Sequence, residues 1–223
     1  SNPNDEPGGP ILVISNTSNP FSRYMVEILR AEGLNAFAAT DITAVTESGL
    51  NNYDVAILGE MQLDAGQVTM LSNWVNNGGT LITMRPDAQL QSLLGITLTA
   101  GNLPEAYLLV NTSEGPGVGI VNQTMQYHGT ADLYMLNGAT ALATLYADAA
   151  TATANPAVTT HNVGANGGRA VSFTYDLAKS VVYTRQGNPL WAGDERDGQS
   201  GPIRSNDMFY GAKTGDIQPD WID

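Results

Sequence analysis

The chain alternates short apolar runs with longer segments whose apolar positions recur every three or four residues. Ile11-Leu-Val-Ile14 suits a strand buried on both faces. The polar loop Ser15-Asn-Thr-Ser-Asn19 follows, with Pro20 at a first helical position. Phe21, Tyr24, Met25, Ile28 and Leu29 then form one helical stripe that closes at Gly33. Residues 35–39 predict a second strand, and residues 54–58 a third that ends at Gly59-Glu60. Asp64 predicts the cap of a helix carrying Val68, Leu71, Trp74 and Val75, stopped by Asn77-Gly-Gly79. Thr80–Met84 predicts a fourth strand, and Asp87 caps a helix bearing Leu90, Leu93 and Leu94 before Gly95.

Strands separated by helices of this length predict parallel pairing with right-handed crossovers. The expected fold class is therefore α/β: a doubly wound, mostly parallel, flavodoxin-like sheet with a β-rich C-terminal extension. Past Gly95 the periodicity loosens. Residues 106–110, 141–146, 157–163 and 169–173 read as strands, with Asn166-Gly-Gly168 a hairpin turn between the last two. They are expected to finish the same sheet and extend it. Three parts follow: a flexible polar leader at 1–9, an α/β domain at 10–186, and an irregular acidic segment at 187–223 packed on that domain. The last segment holds seven acids, three bases and the aromatic anchors Trp191, Phe209, Tyr210 and Trp221.

Charge narrows the partners. The chain carries 22 Asp and Glu against 9 Lys and Arg, a net charge of −13. It lacks the basic surface that neutralises phosphates, so neither nucleic acid nor an anionic membrane is an expected partner. With no cysteine, disulfides, thiolate metal sites and Cys nucleophiles are excluded. No apolar run approaches the roughly 20 residues of a membrane span, so membrane insertion is not expected. Only two Lys occur, amid abundant Thr, Asn, Ala and Gly. That composition leads us to expect an exported bacterial protein, secreted or on the cell surface. The leader has no apolar signal core and is expected as a piece of a longer precursor.

Four segments carry a resemblance: Gly9-Pro-Ile-Leu-Val-Ile14, Tyr53-Asp-Val-Ala-Ile-Leu-Gly59, Trp74-Val-Asn-Asn-Gly-Gly-Thr-Leu-Ile82 and Gly168-Arg-Ala-Val-Ser-Phe-Thr-Tyr-Asp-Leu177. Their order resembles the class I glutamine amidotransferase-like superfamily, in its ThuA-like and glycosidase-associated branches, over residues 10–185. The resemblance implies an accessory module beside carbohydrate-active domains. It also implies a Cys on the turn after Thr80–Met84, where this chain reads Met84-Arg-Pro-Asp87. The family's downstream His-x-Glu pair is missing too, since His128 precedes Gly129-Thr130 and His161 precedes Asn162-Val163. A thiolate being that family's nucleophile, its reaction is not expected here.

In open parallel sheets, ligands gather beyond the carboxyl ends of the strands. The candidate ligand residues there are Ser15, Asn16, Glu60, Arg85 and Asp87, a set of neutral and charged groups suited to a sugar or polyol. Capping by Asn16 and Asp87, and pairing of Arg85 with Glu60 or Asp87, is the competing structural reading. His128 joins the candidates because Asp132 lies four residues on, a spacing open to a base with its orienter or to two metal ligands. With only two His in the chain, a structural, hydrogen-bonded histidine is the preferred reading. Gly193-Asp-Glu-Arg-Asp-Gly198 offers Asp194 and Asp197 to a structural calcium ion, although the spacing misses the EF-hand pattern. No other cofactor is expected. Asp176 and Lys179 read as a turn and its ion pair.

The expected function is a non-catalytic accessory module of an exported protein, carbohydrate-associated, binding a glycan or docking on a neighbouring domain. One alternative is a hydrolase of glycosidic or ester bonds using Glu60, Asp87 and Asp132; glycoside chemistry would need a carboxylate pair about 5 to 9.5 Å apart. The other is a purely structural interaction domain.

Overall fold

The computed structural model describes residues 8–186. The Asp194 and Asp197 calcium candidates and the four aromatic anchors lie outside these residues. The first strand, β1 (Ile11–Ser15), is central: β2 (Phe37–Asp41) pairs with one edge in parallel and β3 (Val55–Leu58) with the other. β4 (Thr80–Met84) continues in parallel beside β3. Between these strands run a 3-10 turn (Pro20–Arg23) leading into α1 (Tyr24–Ala31), the short α2 (Glu47–Leu50), and α3 (Ala65–Asn76). A 3-10 turn (Ala88–Leu90) leads into α4 (Gln91–Leu94).

Strand alternation divides the core. Leu12, Ile14, Leu58 and Leu81 point to the side covered by Leu71, Trp74 and Val75 of α3 and by Leu90 and Leu94. Val13, Ile57 and Met84 point to the other, against Met25, Val26 and Leu29 of α1. Each buried leucine contributes about 1.5–3 kcal/mol, whereas the α3 capping box, in which Asp64 accepts from Gln67 N at 2.8 Å, is a matter of about 1 kcal/mol. The helix is therefore held chiefly by its apolar face. The Trp-Val-x-x-Gly-Gly segment has a packing reason: a Cβ on Gly79 would overlap the Trp74 indole.

The second half overturns the expected fold class. After α4 come β5 (Ile96–Pro104), β6 (Tyr107–Val110), β7 (Met125–Gln126), β8 (Thr130–Leu136), β9 (Thr140–Tyr146), β10 (Ala152–Val163) and β11 (Gly168–Phe173). The main sheet has nine strands in the order β2-β1-β3-β4-β11-β10-β9-β6-β7. Its pairings are parallel as far as β11 and antiparallel from β11 to β7. It is a mixed sheet, not the mostly parallel flavodoxin-like one that the helix-separated first half suggested. Nor is the β-rich half an appendage: β11 registers beside β4, Arg169 opposite Thr80 and Phe173 opposite Met84, in the middle of the sheet. Local periodicity could not reveal this, because hairpin-linked strands read alike at an edge or in a centre.

β5 and β8 form a separate antiparallel ribbon. A second core beneath the antiparallel half is built on Tyr127 stacked on Tyr175, ring centroids 4.8 Å apart, with the Tyr127 hydroxyl donating to Leu103 O at 2.6 Å. The last described element is α5 (Leu177–Gln186). Asp176 and Lys179, expected in a turn, lie at its start: Asp176 Oδ1 accepts from Lys179 N, and the Lys179 ammonium sits 5.6 Å from the ring centroids of Phe21 and Tyr183.

Candidate functional site

The carboxyl ends of β1, β3 and β4 bring three loops together, and the third sets the geometry. Arg85, directly after β4, has φ 37°, a left-handed backbone rare for a residue with a Cβ. Its N–H is shared between Phe173 O at 2.8 Å and Tyr175 O at 3.2 Å, which ties this turn to the end of β11. Such a conformation costs on the order of 1–3 kcal/mol and persists where its surroundings over-determine it. Here they do. Arg85 Nε and Nη2 bond to Asp132 Oδ2 and Oδ1 at 3.1 and 2.9 Å, and Nη1 bonds to Glu60 Oε1 at 2.9 Å. The guanidinium is thus gripped in the two-point manner that its planar fork favours.

Glu60 is placed from β3. Gly59 precedes it because a Cβ there would lie 2.5 Å from Ser22 Cβ, so only glycine lets the loop press onto the first 3-10 turn. Asn19 holds the backbone from the other side, donating to Glu60 O at 3.0 Å and to Asp176 Oδ2 at 3.3 Å. Burial lifts the Glu60 pKa above its usual value; the Arg85 charge opposes that rise and Asp176 adds to it. For Arg85, burial works against the charge, but Asp132 and Glu60 outweigh it and raise the pKa above its ordinary value. The three side chains are 25–31% exposed, so water reaches the cluster without dissolving it.

A cleft of about 240 Å³ opens over this cluster. Glu60, Arg85, Asp87 and Asp132 are its charged lining, Gln62 adds an amide, and Leu98, Asp132 and Tyr134 come from the β5–β8 ribbon. Asp132 and Tyr134 lie two apart on β8 and so share a face. The Tyr134 hydroxyl donates to Pro86 O at 3.3 Å, and burial pushes its pKa up to about 12. Asp87 is committed to the backbone: Oδ1 accepts from Gln89 N at 2.8 Å and Oδ2 from Leu63 N at 2.9 Å.

Of the candidates read from the sequence, the structure unites Glu60, Arg85 and Asp87. Ser15 and Asn16 stand apart as loop-forming groups. Ser15 donates to Thr40 O at 3.3 Å, and Asn16 Oδ1 accepts from Ser18 N and Oγ at 2.8 Å, an Asx turn. His128 is 1% exposed, with Nδ1 at 3.2 Å from Glu105 Oε2 and its N–H donated to Ser180 Oγ. The His128–Asp132 partnership that the spacing left open does not form; Asp132 goes to Arg85, and His128 is hydrogen-bonded elsewhere. Among the described residues no three or more His, Asp or Glu side chains are grouped to hold a metal ion. The importance of Leu98 and Tyr134 escaped the sequence reading, and the clue for Tyr134 was its two-residue offset from Asp132.

No protein-family model matches the chain, and no curated protein matches it in sequence. Solved structures do resemble it. The β-galactosidase of Rahnella sp. R3 superposes with a TM-score of 0.60 at 18% identity, over 77% of this chain and 29% of that one. The α-L-fucosidase isoenzyme 2 of Paenibacillus thiaminolyticus gives 0.60 at 13% identity, over 80% of this chain and 30% of that one. A cytoplasmic protein of Salmonella typhimurium LT2 gives 0.54 at 13% identity, over 74% of this chain and 87% of that one. The chain therefore spans about a third of the glycosidases and most of the smaller protein. At these identities the shared property is the fold. Together with the mixed sheet, likeness to segments of glycosidases replaces the flavodoxin-like expectation.

Proposed function

We propose that this chain is a non-catalytic accessory module of a carbohydrate-active bacterial protein, and that its strand-end cleft binds saccharide. The observation that carries the reading is the closed Arg85 cluster. At the end of β4, where the resembled superfamily keeps its nucleophile, this chain has an arginine whose charge is held by Glu60 and Asp132. Asp132 is held by that arginine through both oxygens, Asp87 by backbone N–H groups through both of its own, and Glu60 through Oε1, so no two carboxyl groups are free together. A hydrolase needs one carboxyl group free to give up a proton and another free to take one or to attack.

The recurrence of the fold within a β-galactosidase and an α-L-fucosidase supports carbohydrate association. Kinship with the amidotransferase-like superfamily belongs to the same proposal and rests on the four sequence segments alone. An exported location is likewise proposed, supported by the scarcity of Lys and absence of Cys.

The test is a panel of chromogenic glycosides and esters run beside a glycan array. The reading expects saturable binding to some glycans and no turnover. Turnover that disappears in Glu60→Gln or Asp132→Asn would make the protein a hydrolase. Absence of any glycan signal, without turnover, would leave a structural interaction domain.

A further inference from the structure

The cleft carries its own rule of selection. Glu60, Asp87 and Asp132 face it against the single cation Arg85, so its lining has a net charge of 1 − 3 = −2. Outside the lining, Asp176 and Lys179 act on Glu60 in opposite senses, so the balance at the cleft is set by its own residues. Arginine ordinarily captures a carboxylate or phosphate through the planar edge formed by Nε and one terminal nitrogen. That edge is occupied by Asp132, and Nη1 is held by Glu60. Of the five guanidinium N–H bonds, three are therefore spent. An incoming anion would find only the two remaining N–H bonds, beside two carboxylates, in a cleft whose lining is net negative.

Hydroxyl groups face the opposite situation. Ionised carboxylates accept hydrogen bonds and donate none, so Glu60 and Asp132 retain lone pairs for sugar hydroxyls after binding Arg85. The remaining guanidinium protons can donate to a hydroxyl or ring oxygen. Leu98, 41% exposed on the cleft wall, offers an apolar surface to the C–H face of a pyranose.

We infer that the cleft selects by charge, accepting neutral saccharides and excluding those that bear carboxylate, sulfate or phosphate groups. The inference rests on the saccharide-binding reading above and specifies the ligand class. Its test is a titration of the full chain by calorimetry with a neutral galacto-oligosaccharide and the galacturonate oligomer of equal length, at low and high salt. Manno-oligosaccharides and mannuronate oligomers form a second matched pair. The neutral member of at least one pair should bind at least about tenfold more tightly, with a smaller gap at high salt, where screening weakens the field. Glu60→Gln keeps an acceptor for Arg85 Nη1 and removes one negative charge, so it should narrow the gap several-fold. Equal or tighter binding of the uronates would overturn the charge rule while leaving saccharide binding intact. If neither member of either pair binds, the saccharide-binding reading fails as well.

Discussion

Arg85 and Glu105 are the two non-glycine residues with a left-handed backbone among those described, with φ of 37° and 46°, and the clusters around them differ in instructive ways. Around Arg85 three charged side chains meet at the floor of an open cleft, each roughly a quarter to a third exposed. Around Glu105 the geometry turns inward. Its N–H donates to Gly129 O at 2.8 Å, its Oε1 accepts from Gly129 N at 2.7 Å, and its Oε2 meets the buried His128 ring. The same local device, a strained residue with a charged side chain, presents polar atoms to solvent in one place and fastens a loop over the Tyr127–Tyr175 core in the other. The two glutamates are equally exposed, 31% for Glu60 and 30% for Glu105; what differs is the partner, an arginine on the cleft floor in one case and a buried histidine in the other.

The largest effect that would sharpen this contrast is at His128. Replacement by Ala leaves a cavity and strips the Glu105 carboxylate of its ring partner, while the backbone N–H bond to Ser180 stays, so a loss of about 2–4 kcal/mol is expected in chemical denaturation. Saccharide affinity in the folded variant should stay within about twofold. A loss under about 1 kcal/mol would remove the structural role assigned to this histidine.

Next in size is Arg85→Met. It leaves Glu60 and Asp132 facing each other with water still able to reach them, so the expected loss is about 1–3 kcal/mol. Saccharide binding should vanish with it. A variant as stable as the parent would show that the cluster does not brace the strained turn.

A smaller effect lies in the pH dependence. Burial holds the Glu60 pKa above its usual 4.5, so the folded state binds this proton more tightly than the unfolded state. Its contribution to stability is full below pH 4.5 and is lost as pH rises through the folded pKa. Comparing the stability–pH curves of the parent and Glu60→Gln should show that downward component missing in the variant. Asp41 has the opposite sign. Hydrogen bonds from Thr43, backbone first, hold its pKa below 3.8, so its contribution is present above that value and lost on acidification. Asp41→Ala should cost about 0.5–1 kcal/mol at pH 7, as loss of an N-cap does. The difference should shrink at the acid end; a cost independent of pH would assign it to packing.

Much of the parallel half could be read from the chain because its signals are local. Ile11–Ser15, Val55–Leu58 and Thr80–Met84 are apolar runs bounded by caps and glycines, and Asp64 and Asp87 cap where their positions indicated. The topology of the other half depends on pairings distant in sequence. β11 meets β4 across more than eighty residues, and nothing within either strand encodes that register. The site divides the same way. Glu60 and Arg85 were recognisable at the ends of neighbouring strands, but Asp132 reaches Arg85 through a ribbon whose β5 strand is largely exposed and shows no clear alternation. α5 was missed because Val181, Val182 and Thr184 weaken its helical signal, while its capping Asp176 sits just after a strand and resembles a turn residue.

On the proposed function, the Arg85 cluster binds saccharide without cutting it. Its most direct test follows the amide signals of Leu98, Asp132 and Tyr134 by NMR while a neutral galacto-oligosaccharide is titrated, with new reducing ends assayed in the same tube. Saturable shifts are expected at these residues, with small shifts around His128 and no new reducing ends. Shifts absent from the cleft, or reducing ends that accumulate in the parent and not in Glu60→Gln, would contradict this reading.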